Sequence, residues 1–205
     1  MESYITVKQR SYFEYEDRKS VFIGEAMPVS TESEALAFIQ SVKKKYPDAR
    51  HHVYAYVLRE NSVMRFTDDG EPQGTAGMPV LDAIRKNGCT DVVIVVTRYF
   101  GGTLLGTGGL VHAYSSSALG ALRAAEIIRY DIYTEVELTL TYSDYSKVTA
   151  VIEGGEFRTN DTLYLDNVII NGKIISAELD SFVNSLTEAT SGRVKLKILG
   201  EKFDF

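Results

Sequence analysis

The 205-residue chain is long enough for one large domain or two small ones, and its 44% apolar and 24% charged residues are ordinary for a globular protein. A formal net charge of −6 argues against strong non-specific nucleic-acid affinity, which rests on neutralising phosphates with Lys and Arg. No apolar run approaches the roughly 20 residues of a membrane span, the N-terminal stretch lacks the apolar core of a secretory signal, and the single Cys89 excludes an intramolecular disulfide or a multi-cysteine zinc site. These features read as a cytoplasmic protein that needs no cofactor and no membrane.

In chain order, residues 20–29 read as a strand. Thr31 followed by Glu34 makes a capping box for a helix over Glu32–Lys45, with Ala35, Leu36, Phe38, Ile39 and Val42 near one face. Residues 52–59 alternate as a strand, which 63–67 can pair across Glu60-Asn61-Ser62. A loop over Asp68–Gly74 precedes a helix over Ala76–Lys86 that ends at Asn87-Gly88, where a left-handed residue is expected. Val92–Val96 reads as a buried strand, and Leu110–Ala125 as a helix.

After Arg129 the pattern changes. Strands are expected over 133–142, 157–165, 168–178 and 194–199, with helices over 144–153 and 180–190. The order β-α-β-β-α-β is the ferredoxin-like signature. Charge divides at the same place: residues 1–130 carry 15 Lys+Arg against 15 Asp+Glu, and residues 131–205 carry 7 against 13. Two domains, 1–130 and 131–205, follow as the expectation.

Between Val96 and Leu110 the chain holds Gly101, Gly102, Gly106, Gly108 and Gly109, five glycines within nine residues. Glycine loses more backbone entropy on folding than any other residue, so the cluster needs a geometric reason. One reading is an anion cradle, with the amides of Gly106–Gly109 and the charge of Arg98 facing a phosphate. The other is a tight turn that lets a helix pack closely on a sheet. The segment is not a P-loop, because the Gly-Lys-Ser/Thr ending is absent, and it lacks the Gly-x-Gly-x-x-Gly of a dinucleotide site.

Asp68, Asp69 and Glu71 could hold a hard cation such as Mg²⁺. The same acidic turn could instead cap the following helix. His51 and His52 are adjacent and point to opposite faces of a strand, so they cannot jointly ligate one metal in the usual way. His52 beside apolar residues reads as structural rather than as a general acid or base. Ser115–Ser117 lack a nucleophile elbow, and Cys89 reads as a small, half-buried residue, so no catalytic set assembles. For nucleic acid the candidate contacts are Lys43, Lys44, Lys45, Arg50 and His51, with Arg98, Tyr99 and Phe100 as a stacking corner.

The run Asp68-Asp69-Gly70-Glu71-Pro72-Gln73-Gly74-Thr75-Ala76-Gly77-Met78-Pro79, with Arg98–Gly102 and Leu105–Tyr114, resembles the signature of the IMPACT family. His51–Ala55 is similar to a strand of that family. The resemblance implies a two-layer α/β first domain of the ribosomal-protein and translation-factor type, within a superfamily that also holds small-molecule kinases with a glycine-rich phosphate loop. Residues 133–205 resemble the ferredoxin-like domain that bacterial members append, which is similar to a C-terminal domain of elongation factor G. Eukaryotic relatives regulate translation by competing for a partner of an amino-acid-starvation kinase. No counterpart of their N-terminal partner-binding domain is read here, so that pathway does not carry over.

The combined expectation is an α+β, two-domain binding protein acting in translation through RNA, the ribosome or a translation-associated protein. Its phosphate or nucleic-acid contacts are expected at Arg98, Tyr99, Phe100, Gly101, Gly102, Gly106, Gly108, Gly109, Lys43, Lys44, Lys45, Arg50 and His52. The alternative is an Mg²⁺-dependent enzyme or binding protein for a phosphorylated small molecule or nucleotide, using the glycine loop with Asp68, Asp69 and Glu71.

Overall fold

A computed structural model describes residues 3–205. The chain has two compact units, one over Tyr4–Arg129 and the other over Tyr130–Phe205 with the N-terminal Ser3. Each is α+β, and no helix is long and apolar enough to cross a membrane among the described residues.

The first unit runs β1 (Tyr4–Val7), β2 (Phe13–Asp17), β3 (Ser20–Pro28), α1 (Glu32–Lys45), β4 (His51–Val57), β5 (Met64–Thr67), α2 (Gly77–Lys86), β6 (Val92–Tyr99) and α3 (Gly106–Ala124). Five strands form an antiparallel sheet in the order β2-β3-β6-β4-β5. The central strand β6 is apolar without alternation because both its faces are covered. Val92, Ile94 and Val96 pack with α2 and α3, while Val93 and Val95 pack with α1. The sheet and the α2–α3 layer are the two layers that the resemblance implies, and α1 adds a layer on the other face.

Local chemistry explains these elements. The Thr31 hydroxyl accepts the Glu34 amide, and the Glu34 carboxylate accepts the Thr31 amide, closing the capping box of α1. Its buried stripe is Ala35, Phe38, Ile39 and Val42. Leu36 lies one position further round and is 46% exposed, so it leaves the expected face. The β2–β3 hairpin turns on Arg18 and Lys19, both at positive φ, as a two-residue hairpin demands.

Two boundaries shift near the glycine segment. β6 continues past Val96 through Tyr99, because Thr97, Arg98 and Tyr99 keep partners on β3 and the first two also pair with β4. α3 starts at Gly106, four residues before Leu110, so Gly106, Gly108 and Gly109 belong to its first turn. Cys89 is fully buried rather than half-buried, and burial alone pushes its thiol up to about 11.

The second unit runs β7 (Ile127–Leu140), α4 (Tyr145–Glu153), β8 (Arg158–Tyr164), β9 (Val168–Ile175), α5 (Leu179–Thr190) and β10 (Lys195–Asp204). Its four strands order as β10-β7-β9-β8, all antiparallel, which with the two helices is the ferredoxin-like arrangement. Alternate residues Val136, Leu138, Leu140, Val168, Ile170 and Ile174 bury against Val148, Ile152, Phe182 and Leu186. β10 extends beyond Leu199 because, after a register shift between Ile198 and Gly200, its last residues pair with 131–135.

Candidate functional site

The site is built around an arginine that the sheet forces inward. Strand alternation puts Arg98 on the α3 side of β6, between Phe22 of β3 and His51 of β4. Its side chain is 7% exposed, and its guanidinium carbon stands 5.4 Å from the centre of the Phe22 ring. A guanidinium cannot shed its charge, so a buried one needs an anion. Glu71 supplies it: Arg98 Nη1 donates to Glu71 Oε1 at 2.6 Å, and that carboxylate is 4% exposed.

The same Oε1 accepts the Tyr114 hydroxyl at 2.8 Å, and His51 Nε2 stands 4.0 Å from it. Burial first, and the Glu71 carboxylate second, push the Tyr114 phenol far above its usual range, so it stays protonated and donates. His51 is oriented by a 2.8 Å hydrogen bond between Nδ1 and the Asp69 carbonyl oxygen. Glu71 therefore joins α3, β4 and β6 at one oxygen.

The neighbouring carboxylates point elsewhere. Asp68 accepts the Gly74 amide on one oxygen and those of Ala76 and Gly77 on the other, which caps α2. Asp69 accepts the His52 amide at 2.6 Å and lies 3.7 Å from Lys43 Nζ. Asp68, Asp69 and Glu71 thus serve three separate partner sets. Among the described residues no group of three His, Cys, Asp or Glu side chains is placed to hold a metal ion.

Above Arg98 lies a cleft of about 220 Å³ lined by Arg50, His51, Arg98, Phe100 and Leu104. Arg50 is exposed. Phe100 is 50% exposed and Leu104 82%, an unusual amount of bare apolar surface beside two cations. The Arg98 guanidinium carbon is 5.7 Å from the Phe100 ring centre, and its Nε is buried without a hydrogen-bond partner among the described residues.

The glycines separate by cause. Gly101 is required by packing, since a Cβ there would stand 2.0 Å from the Lys19 carbonyl carbon; its amide donates to Ser20 Oγ. Gly102 and Gly106 have positive φ, which favours glycine. A Cβ on Gly109 would stand 3.0 Å from Leu105 Cβ, tighter than ordinary packing. Gly108 has neither reason: its φ is not positive and a Cβ would meet nothing within 4 Å. The start of α3 has no side-chain cap and no acidic residue in its first turn.

Of the residues singled out from the sequence, the fold brings Arg50, His51, Arg98 and Phe100 to the cleft. It sends others away. Tyr99 alternates to the α1 face, where its hydroxyl donates to Asp48. His52 is turned the same way, with Nε2 3.0 Å from the Tyr46 carbonyl, and burial lowers its imidazole below the ordinary value. Lys43 pairs with Asp69 and Lys45 with the buried Glu25, leaving Lys44 exposed and unpaired among the described residues. Leu104, Tyr114 and the structural role of Glu71 were not read from the sequence. Strand parity alone would have separated Tyr99 from Arg98 and Phe100, whereas the Glu71–Arg98 pair, 27 positions apart, leaves no local signal.

Comparison with known proteins follows the same division of the chain. The model of the Impact N-terminal domain matches residues 18–122, and that of a domain of unknown function, DUF1949, matches residues 138–193. The chain is 36% identical to the IMPACT family member YvyE of Bacillus subtilis (strain 168), over 96% of this chain and 91% of that one. It is 34% identical to the IMPACT family member YigZ of Escherichia coli (strain K12), over 91% and 93%. A crystal structure described as that of a hypothetical protein superposes with a TM-score of 0.61 at 32% identity, covering 98% of both chains.

Proposed function

The chain belongs to the IMPACT family, and we propose from that premise that it is a cytoplasmic regulator of translation that binds RNA or a ribosomal RNA surface through the cleft of its first unit. The observation that carries this is Arg98, a buried cation held by Glu71, itself bonded by Tyr114, at the floor of a cleft that also presents Arg50 and a half-exposed Phe100. Guanidinium forks suit phosphate oxygens, and an aromatic beside them suits a base. The first turn of α3, which begins two residues after the cleft-lining Leu104, carries no acidic residue, and the open space beside Gly108 leaves room for a ligand backbone. An overall balance of charge in residues 1–130 limits the affinity to a modest value with a shallow salt dependence.

Titration of a labelled single-stranded RNA at low and moderate salt tests the binding. Arg50→Ala should weaken it across sequences and reduce the salt slope by about 1. Absence of binding at low salt, or an Arg50→Ala protein that binds unchanged, would sink this reading. Sedimentation of a lysate with and without ribonuclease tests the link to translation: the protein should leave the ribosomal fractions when RNA is digested.

A further inference from the structure

We infer that the cleft takes one unpaired nucleotide of a nucleic-acid strand, with its base laid on Phe100 and its phosphate against Arg50 and Arg98. This rests on the binding function proposed above and specifies the form in which the strand is held. Size is the first argument. A solvent-open cleft of about 220 Å³ lined by five side chains is on the scale of a single base with its phosphate at the rim, and too small to seat a duplex. Bases inside a duplex are stacked and offer no face to a protein aromatic, whereas an unpaired base does.

The lining supplies the second argument. Phe100 is half exposed next to Leu104, which is 82% exposed, so the cleft wall keeps an apolar shelf in water. Base stacking on aromatics is sequence-tolerant, because every base has a π-face. The adjoining donors fit the rest of a nucleotide. Arg98 is more than nine-tenths buried, commits Nη1 to Glu71, and leaves Nε without a partner; Arg50 makes no hydrogen bond or ion pair among the described residues. A buried donor without an acceptor is costly, and an incoming phosphate or base oxygen would supply one. Because Glu71, itself fixed by the Tyr114 hydroxyl, already holds Arg98 in place, binding loses little of its side-chain freedom.

Fluorescence anisotropy with the full chain decides the matter, using a labelled oligouridylate, its single-stranded DNA counterpart and the same RNA annealed to its complement. Both single strands should bind and the duplex should bind far more weakly. Phe100→Ala should weaken single-strand binding roughly 5- to 150-fold, the range of one lost stack, while Phe100→Trp retains it. Equal affinity for the duplex, or unchanged binding by Phe100→Ala, overturns the unpaired-nucleotide inference while leaving RNA binding intact. No binding of any of the three probes overturns the proposed function itself. Thermal melting of both Phe100 variants, half-exposed as the ring is, separates a lost stack from a lost fold.

Discussion

A Cβ on Gly101 would stand 2.0 Å from the Lys19 carbonyl carbon, and one on Gly108 would meet nothing within 4 Å. Two glycines of one loop therefore answer to different demands. Gly101→Ala should destabilise the protein by roughly 1–3 kcal/mol or more, since backbone has to move. Gly108→Ala, in the first turn of α3, should instead raise stability by up to about 1 kcal/mol, because alanine is the better helix former. If Gly108 is small to admit a ligand, the same substitution weakens RNA binding. Urea denaturation combined with RNA anisotropy checks the pair, and a Gly108→Ala protein that is both more stable and equally tight in binding would remove the functional reading of that glycine. Glu71 is the other residue whose removal should tell. Without it Arg98 is a buried, uncompensated cation, so Glu71→Ala should cost about 3–5 kcal/mol, whereas Arg50→Ala at the exposed rim should stay within about 0.5 kcal/mol.

At the scale of elements, the site depends on how closely α3 lies on β3. A Cβ on Gly24 would stand 2.7 Å from the Ser117 carbonyl oxygen and 2.8 Å from its Oγ, so only glycine allows that approach. Gly24→Ala should push α3 outward, cost roughly 1–3 kcal/mol, and slacken the hydrogen bond by which Tyr114 reaches Glu71. Faster amide exchange confined to α3 would show this; unchanged exchange would mean that the helix does not depend on the contact. The elements themselves were unevenly legible. The Thr31–Glu34 box announces α1 because capping is a local interaction written in neighbouring residues. The beginning of α3 is hidden because three glycines argue against helix by propensity, while burial of Leu105 and Leu110 in the core overrides them. The end of β6 is hidden because Thr97-Arg98-Tyr99 is polar, and its extended form comes from partners on β3 and β4 that no local pattern reports. The cleft inherits both difficulties: its cations are visible in the sequence, but the carboxylate that holds one of them is visible only in the fold.

For the whole molecule, the two units carry different pH sensors. In the first, burial lowers the His52 imidazole below its ordinary 6.5, outweighing the pull of the Tyr46 carbonyl. A folded-state value below the unfolded one means that the unfolded chain takes up a proton first as the pH falls. His52 therefore contributes stability that is present above about pH 6.5 and is lost progressively below it. No histidine lies in the second unit. Each unit also holds a carboxylate below its ordinary range. Burial raises Glu25, but hydrogen bonds from Arg10 and Lys45 more than offset this, and Asp144 is lowered by its hydrogen bonds from Arg193. Those contributions are present above the ordinary carboxylate values and are lost only as the pH falls through the lowered ones. Between about pH 7 and 5, then, the first unit should lose stability while the second holds, and below about pH 4 both should fail. Calorimetry across that range should show one melting transition sliding down before the other, and His52→Gln should flatten the slide. Two transitions that move together, or a second unit that softens first, would contradict this division of acid sensitivity.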